Sequence, residues 1–144
     1  LGAMLGALIV WITYRQHFDA TTDPNMQLAA FCSGPAIRSP INNIITEAVG
    51  TFMLVFGVMM IVSPQASLGA LDALPVALLL FGIGLSLGGP TGFAVNPARD
   101  LGPRIMHAIL PMANKRDSDW GYAYVPVVGG IIGGLIAAVV YSLL

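Results

Sequence analysis

The fold is decided by the stretch Gly88-Gly89-Pro90-Thr91-Gly92-Phe93-Ala94-Val95-Asn96-Pro97-Ala98-Arg99-Asp100, which separates two strongly apolar runs. Glycine and proline interrupt the apolar pattern. Asn96 followed by Pro97 is typical of a helix start, with asparagine as the N-cap and proline at the first helical position. A helix start directs unpaired N–H groups and a partial positive charge at whatever lies before it. Because irregular backbone is tolerated at membrane depth only inside protein or beside a wet cavity, the stretch predicts a half-helix over residues 97–110 that begins within a membrane.

The composition indicates an integral membrane protein. Of the 144 residues, 56% are hydrophobic and only 9% are charged, and the mean hydropathy is +0.82. Soluble domains carry about 25% charged residues. A net charge of −1 gives no sign of nucleic-acid binding, and the single cysteine, Cys32, excludes an internal disulfide and is expected to be a small apolar filler. The chain opens inside an apolar run without a charged flank, which is typical of a sequence that lacks its beginning.

The apolar runs predict an all-α membrane protein of about four spans and one half-helix. The predicted spans are roughly residues 1–14, 41–62, 68–87 and 122–144. A span needs about 20 residues, so the segment 97–110 is too short to cross a bilayer. Residues 15–40 are predicted to form a polar loop, because prolines and a glycine near its end oppose a continuous helix. The runs lack the period-two alternation of membrane strands.

Three side chains of the central stretch are candidates for contact with a solute. Asn96 can be only a helix cap, but at membrane depth its amide can also donate to a passing oxygen. Arg99 can pair with Asp100 or reach the membrane surface; we favour a position facing a cavity, where it offers several N–H donors and excludes cations. Phe93 can be ordinary packing, or it can form an apolar wall opposite these donors.

Glu47 is the one ionisable residue of the second predicted span, and two interpretations stay open. It can lie at a helix end in the headgroup region. Alternatively, it is a buried acceptor that holds loop N–H groups in place.

Gly84-Leu85-Ser86-Leu87-Gly88 matches the G-x-S-x-G pattern of a serine nucleophile elbow. That motif requires a strand, a turn and a helix, whereas this copy lies in a predicted membrane span. The only candidate bases, His17 and His107, lie outside that span. An intramembrane serine hydrolase therefore remains the weakest functional hypothesis.

From Gly92 to Asp100 the chain resembles the second Asn-Pro-Ala loop of the aquaporin superfamily, and it is most similar to the glycerol facilitators. Residues typical of glycerol-type members occur at Tyr14, Asp100, Arg104, Pro126 and Val127. Gly84 stands where water-selective members resemble one another in having a histidine. Glu47 matches a glutamate that braces the re-entrant loop in the family.

The resemblance implies an aquaporin-like bundle with a solute pore beside the motif Asn96-Pro97-Ala98. Phe93 and Arg99 would form half of the selectivity filter, and Gly84 would leave room for a carbon chain. The carbonyls of Gly92, Phe93 and Ala94 would accept hydrogen bonds along the pore. Family members have six spans, two half-helices and four subunits, so the resemblance covers the third span and the second repeat and implies a homotetramer without cofactor or metal ion. Location in the plasma membrane, as in bacterial relatives, follows from the same resemblance.

Loop charges disagree with the orientation that the resemblance implies. The loops expected outside the cell carry Arg15, Arg38, Lys115 and Arg116, while the supposed cytoplasmic connector, residues 63–74, has no lysine or arginine. The positive-inside rule predicts the reverse orientation. We keep the family orientation, because the first helices of a membrane protein usually dominate its topology.

The leading functional hypothesis is a passive channel for glycerol, related polyols and, in addition, urea and water. The main alternative is a membrane fragment that transports nothing and associates through glycine-rich helix faces, such as the face carrying Gly129 and Gly133. Permeability measurements separate the two.

Overall fold

The structure is a computed structural model that describes residues 1–61 and 69–144. Every regular element in these two ranges is helical. In chain order the helices are α1 (Gly2–Thr13), α2 (Arg15–Ala20), α3 (Pro24–Ala29), α4 (Pro40–Ile61), α5 (Ala73–Thr91), α6 (Pro97–Ile109) and α7 (Tyr124–Ser142), with a 3₁₀ turn at Gly69–Leu71 before α5. This agrees with the predicted all-α class.

Three of the described helices are long and apolar enough to cross a membrane: α4, α7, and α5 together with its preceding turn. The first helix, α1, is apolar but has only 12 residues. The helix α6 has 13 residues and matches the predicted half-helix to within one residue. The predicted span boundaries at residues 62 and 68, and the polar connector between them, lie outside the described residues.

The predicted end of the third span near residue 87 is too early, because α5 continues through Gly88, Gly89 and Pro90 to Thr91. Proline removes one backbone donor from a helix and crowds the carbonyl four residues earlier. Pro90 is the next-to-last helical residue, so the missing donor affects only the final turn. The chain leaves the helix at Gly92, whose φ of 80° is the left-handed conformation that glycine adopts without strain.

The predicted polar loop over residues 15–40 contains two short helices, α2 and α3. Asp23 caps α3 by accepting a hydrogen bond from the Asn25 N–H at 2.8 Å, and Pro24 opens it. An N-cap residue followed by proline also begins α6 at Asn96-Pro97, so the start of α3 could have been predicted from the sequence. Buried Gln27 then fixes the region, because its Nε2 carries two N–H donors and lies within 2.9 to 3.0 Å of three carbonyl oxygens, those of Ala113 and of Phe18 and Thr21 at α2.

The helices α4 and α7 pack closely at glycines of α7. A Cβ atom at Gly133 would lie 2.2 Å from the Ala48 carbonyl oxygen, and one at Gly129 would lie 2.5 Å from Cβ of Glu47. Glycine is therefore required at both positions for this approach. Gly130 contacts Pro97 at the start of α6, so α7 also supports the half-helix.

The half-helix α6 packs on its other side against α1. A Cβ at Gly102 would lie 3.0 Å from Cβ of Ala3. A small apolar cluster closes the end of α6 against α1, α2 and the chain after α3; it consists of Ala7, Phe18, Phe31 and Leu110. The half-helix is thus held between α1 and α7, and its N-terminal residues Asn96, Ala98 and Arg99 stay exposed.

Candidate functional site

The site is built on the turn between α5 and α6, residues 92–96, which we call the central turn. After Gly92, two L-residues also have positive φ values, Phe93 at 58° and Val95 at 42°. Such conformations are strained for bulky side chains and persist only when the surroundings hold them. The central turn therefore needs partners from the rest of the fold.

Glu47 supplies the hydrogen bonds that hold the central turn. Its side chain comes from α4, is only 1% exposed, and accepts from the N–H groups of Ala94 at 3.2 Å and Val95 at 2.7 Å. Gly50, one turn further along α4, makes room for the Val95 side chain, because a Cβ there would lie 2.8 Å from Val95 Cγ1. Of the two interpretations of Glu47, this geometry is that of the buried acceptor.

Asn96 caps the half-helix and keeps its donor end free. Its Oδ1 accepts from the N–H groups of Ala98 at 2.9 Å and Arg99 at 3.4 Å. Because the oxygen faces the helix, the amide NH₂ points away from it, on the exposed side of the turn. Pro97 occupies the first helical position, as predicted.

Arg99 lies exposed on the same side, and within residues 1–61 and 69–144 its guanidinium makes no ion pair or hydrogen bond. Pairing with Asp100 is not what the structure shows, because that carboxylate is fully buried and bonded to Arg104 and Ser33. The Arg99 donors therefore remain available to an oxygen-bearing partner.

Phe93 lies against Gly84. A Cβ at Gly84 would be 3.3 Å from the Phe93 ring, and the two residues line a shallow apolar hollow with Leu80, Phe81 and neighbouring residues. The Phe93 ring therefore forms one wall of the hollow beside Gly84, and room there for a carbon chain stays a prediction. An apolar ring and the two free donors, Asn96 and Arg99, thus come from one short stretch of chain.

A buried ion pair anchors α6 behind the site. Arg104 donates to both carboxylate oxygens of Asp100, at 2.8 and 2.9 Å. Its remaining donors bond to the carbonyls of Ser118, Asp119 and Ser33 at 2.7 to 2.9 Å. All five guanidinium donors are used, as a fully buried arginine requires.

The other residues of the glycerol-type signature lie elsewhere. Tyr14 is exposed between α1 and α2, Pro126 is buried in the first turn of α7, and Val127 is half-buried beside it. No described hydrogen bond or ring contact joins them to the central turn, so their part in the site remains a prediction.

Ser33 was missed by the sequence analysis. It lies in an irregular segment without periodicity, 67 residues from Asp100, and no local pattern announces such a contact. Its neighbour Cys32 is buried, as expected of a filler, and burial raises the pKa of the Cys32 thiol to about 11.

The Ser86 pattern has no nucleophile-elbow geometry. Ser86 lies within the unbroken α5, where its hydroxyl donates to the Gly82 carbonyl at 2.9 Å. His107 is occupied by Ser118, with 2.8 Å between Nδ1 and the hydroxyl oxygen. The serine-hydrolase hypothesis is therefore wrong.

Apolar helices of spanning length, together with a capped half-helix that follows a turn braced by a buried glutamate, define a multi-pass membrane protein with a re-entrant helix. The family model named "Major intrinsic protein" matches residues 1–141. The chain belongs to the major intrinsic protein family, which confirms the resemblance and places it among multi-pass proteins of the plasma membrane rather than among enzymes.

Individual relatives agree with this assignment. The chain is 52% identical over 142 residues to a probable glycerol uptake facilitator protein of Thermotoga maritima, covering 99% of this chain and 60% of the relative. It is 50% identical over 144 residues to a glycerol uptake facilitator protein of Streptococcus pneumoniae serotype 4, covering 99% and 60%. The X-ray structure of the aquaglyceroporin from Plasmodium falciparum matches with a TM-score of 0.84 and 28% identity, covering 98% and 59%. The chain thus spans about three-fifths of the length of these proteins.

Proposed function

We propose that the protein is a passive channel for glycerol and related small uncharged solutes. The observation that carries the proposal is the pairing of unused donors, on Asn96 and Arg99, with the apolar ring of Phe93 on one turn. The names of the bacterial relatives point to the same solute.

The physical match is to a solute with two different sides. A polyol carries hydroxyl oxygens that accept hydrogen bonds from Asn96 and Arg99, and a hydrocarbon side that packs on Phe93. Cations are disfavoured, because both the guanidinium and the N-terminal end of α6 are positive. Small linear polyols therefore fit best, and urea and water are proposed as further solutes.

Backbone carbonyls of the central turn would accept hydrogen bonds from the solute as it moves between Asn96 and Arg99. Among the described residues, no hydrogen bond ends on the carbonyl of Gly92, Phe93 or Ala94. Unused acceptors at consecutive residues suit a moving polyol, because each of its hydroxyl groups can donate a hydrogen bond to one carbonyl and then to the next.

We also propose that lipid and further copies of the chain cover the outer apolar faces. Only 22% of the most apolar window of α4, 6% of that of α5 and 33% of that of α7 is buried within the chain. A homotetramer, as the resemblance implies, would bury part of this surface.

The family orientation stays our proposal, because the loop cations have partners within the fold. Lys115 donates to three carbonyls at the C-terminal end of α6, where a cation is favoured by the helix dipole. Arg38 pairs with Asp119, and Arg15 pairs with Asp19 at 3.3 Å. These charges are thus explained by contacts in the loops, whichever side of the membrane they face.

The test is solute flux into liposomes that contain the full-length protein. We expect stopped-flow light scattering to show glycerol uptake above that of empty liposomes, and Arg99→Ala to reduce discrimination between glycerol and larger polyols. Arg15→Ala, which removes an exposed cation remote in sequence from the central turn, is the matched control and should behave like the parent. Glycerol uptake equal to that of empty liposomes would reject the channel and favour the non-transporting alternative.

A further inference from the structure

Residues 33–36, which follow α3, contact both sides of the central turn. On the α6 side, Ser33 donates from its N–H at 2.8 Å and from its hydroxyl at 2.6 Å to one oxygen of Asp100, and its carbonyl accepts from Arg104 at 2.9 Å. On the α5 side, the Ala36 N–H donates to the Pro90 carbonyl at 3.2 Å. We call residues 33–36 the crossing segment.

The crossing segment lies directly on the turn between these two attachments. A Cβ at Gly92 would be 2.9 Å from the Gly34 carbonyl oxygen and 3.0 Å from its nitrogen. Gly92 is also in the left-handed conformation. The two backbones therefore leave no space for a side chain, and a shift of the crossing segment must be felt by the turn.

We propose that Ser33 is a positioning residue for solute selection: it holds Asp100 in place and thereby sets the position of Arg99. This inference rests on the proposed channel function. Asp100 follows Arg99 in the same helix, so a fixed Asp100 fixes the start of the Arg99 side chain relative to Phe93 on the other side of the turn.

The serine hydroxyl is the part of this contact that can be tested. Ser33 is 5% exposed and Asp100 is 0% exposed, so the bond between them is shielded from water. A hydroxyl bonded to a carboxylate is among the strong types of hydrogen bond. The ion pair of Asp100 with Arg104 cannot replace it, because both residues belong to α6 and their bond does not tie α6 to the α5 side of the turn.

The experiment compares Ser33→Ala, Ser33→Thr and the parent in liposomes, with Ser142→Ala on the exposed end of α7 as the control. The readout is the ratio of five-carbon polyol flux to glycerol flux. We expect Ser33→Ala to raise this ratio by about tenfold, the lower end of what loss of a hydrogen bond to a charged group gives. Ser33→Thr keeps the hydroxyl and should restore the ratio. A purely structural role would lower both fluxes by the same factor and leave the ratio unchanged, which would overturn the proposal.

A second measurement does not depend on flux. Ser33→Ala should speed hydrogen–deuterium exchange at the amides of the central turn and of Ala98 and Arg99, while exchange in α7 stays as in the parent. Unchanged exchange at the turn would also overturn the proposal. A parent without glycerol flux would reject the channel function alone, and the exchange result would still decide whether Ser33 positions Arg99.

Discussion

Replacing Glu47 with glutamine tests whether hydrogen bonds hold the central turn in its strained shape. The two turn amides, of Ala94 and Val95, both need acceptors, and glutamine offers one oxygen and one NH₂ group. Hydrogen bonds to charged groups contribute ~1.5–3 kcal/mol each. Residues in strained backbone conformations cost about 1–3 kcal/mol each. The free energy of the two bonds is therefore roughly equal to the strain at Phe93 and Val95. Loss of one bond leaves the strained conformation of the turn unfavourable.

For Glu47→Gln we expect the free energy of unfolding to fall by ~2 kcal/mol. That corresponds to a melting temperature in detergent lower by roughly 4–8 °C for a chain of this size. If the turn alone absorbs the loss, the equilibrium constant between its ordered and disordered states falls by about thirtyfold, and from a nearly balanced state glycerol flux should fall by about tenfold or more.

The assays are thermal melting followed by circular dichroism and stopped-flow glycerol uptake. The control is Asp19→Asn, which makes the same change of carboxylate to amide on the exposed α2. Helix content at low temperature should be unchanged in both variants. A Glu47→Gln protein that melts and conducts like the parent would refute the argument that these two bonds hold the turn.

Two further predictions follow from packing and burial. Gly133→Ala should strongly reduce the amount of folded protein in the membrane, because its Cβ would lie 2.2 Å from the Ala48 carbonyl oxygen, whereas Gly134→Ala, with open space around it, should accumulate normally on a fluorescence size-exclusion profile. Cys32 should react slowly with a maleimide at pH 8, since burial raises its pKa to about 11, and its rate should keep rising to pH 10. The exposed thiol of Ser142→Cys should react faster and level off earlier; equal rates for the two thiols would show that Cys32 is not shielded.

Sequence reasoning predicted the half-helix because its signals are local. Asn96 and Pro97 are adjacent, and the structure ends α6 at Ile109, one residue from the predicted boundary. The same reasoning placed the end of α5 too early, because it treated Pro90 as a helix breaker. Proline removes the bond from its own N–H to the carbonyl four residues earlier, and at the next-to-last residue of α5 that loss is confined to the last turn.

Apart from the Glu47 brace, the support of the site could not be predicted, because it depends on contacts between distant residues. Ser33 and Asp100 are 67 residues apart, and the Arg104 donors end on backbone carbonyls that have no sequence signature. The contact of Phe93 with Gly84 was likewise hidden. The resemblance implied room beside that glycine, and only the packing shows that the Phe93 ring lines it.

The brace from α4 has a consequence for biosynthesis. Glu47 precedes the turn that it holds by 47 residues, so a ribosome completes α4 before the turn emerges. The Glu47 carboxylate is therefore already present when the central turn is made. It accepts from turn N–H groups that would otherwise be unpaired in hydrocarbon. The strained turn is thus synthesised only after the helix that carries its acceptor.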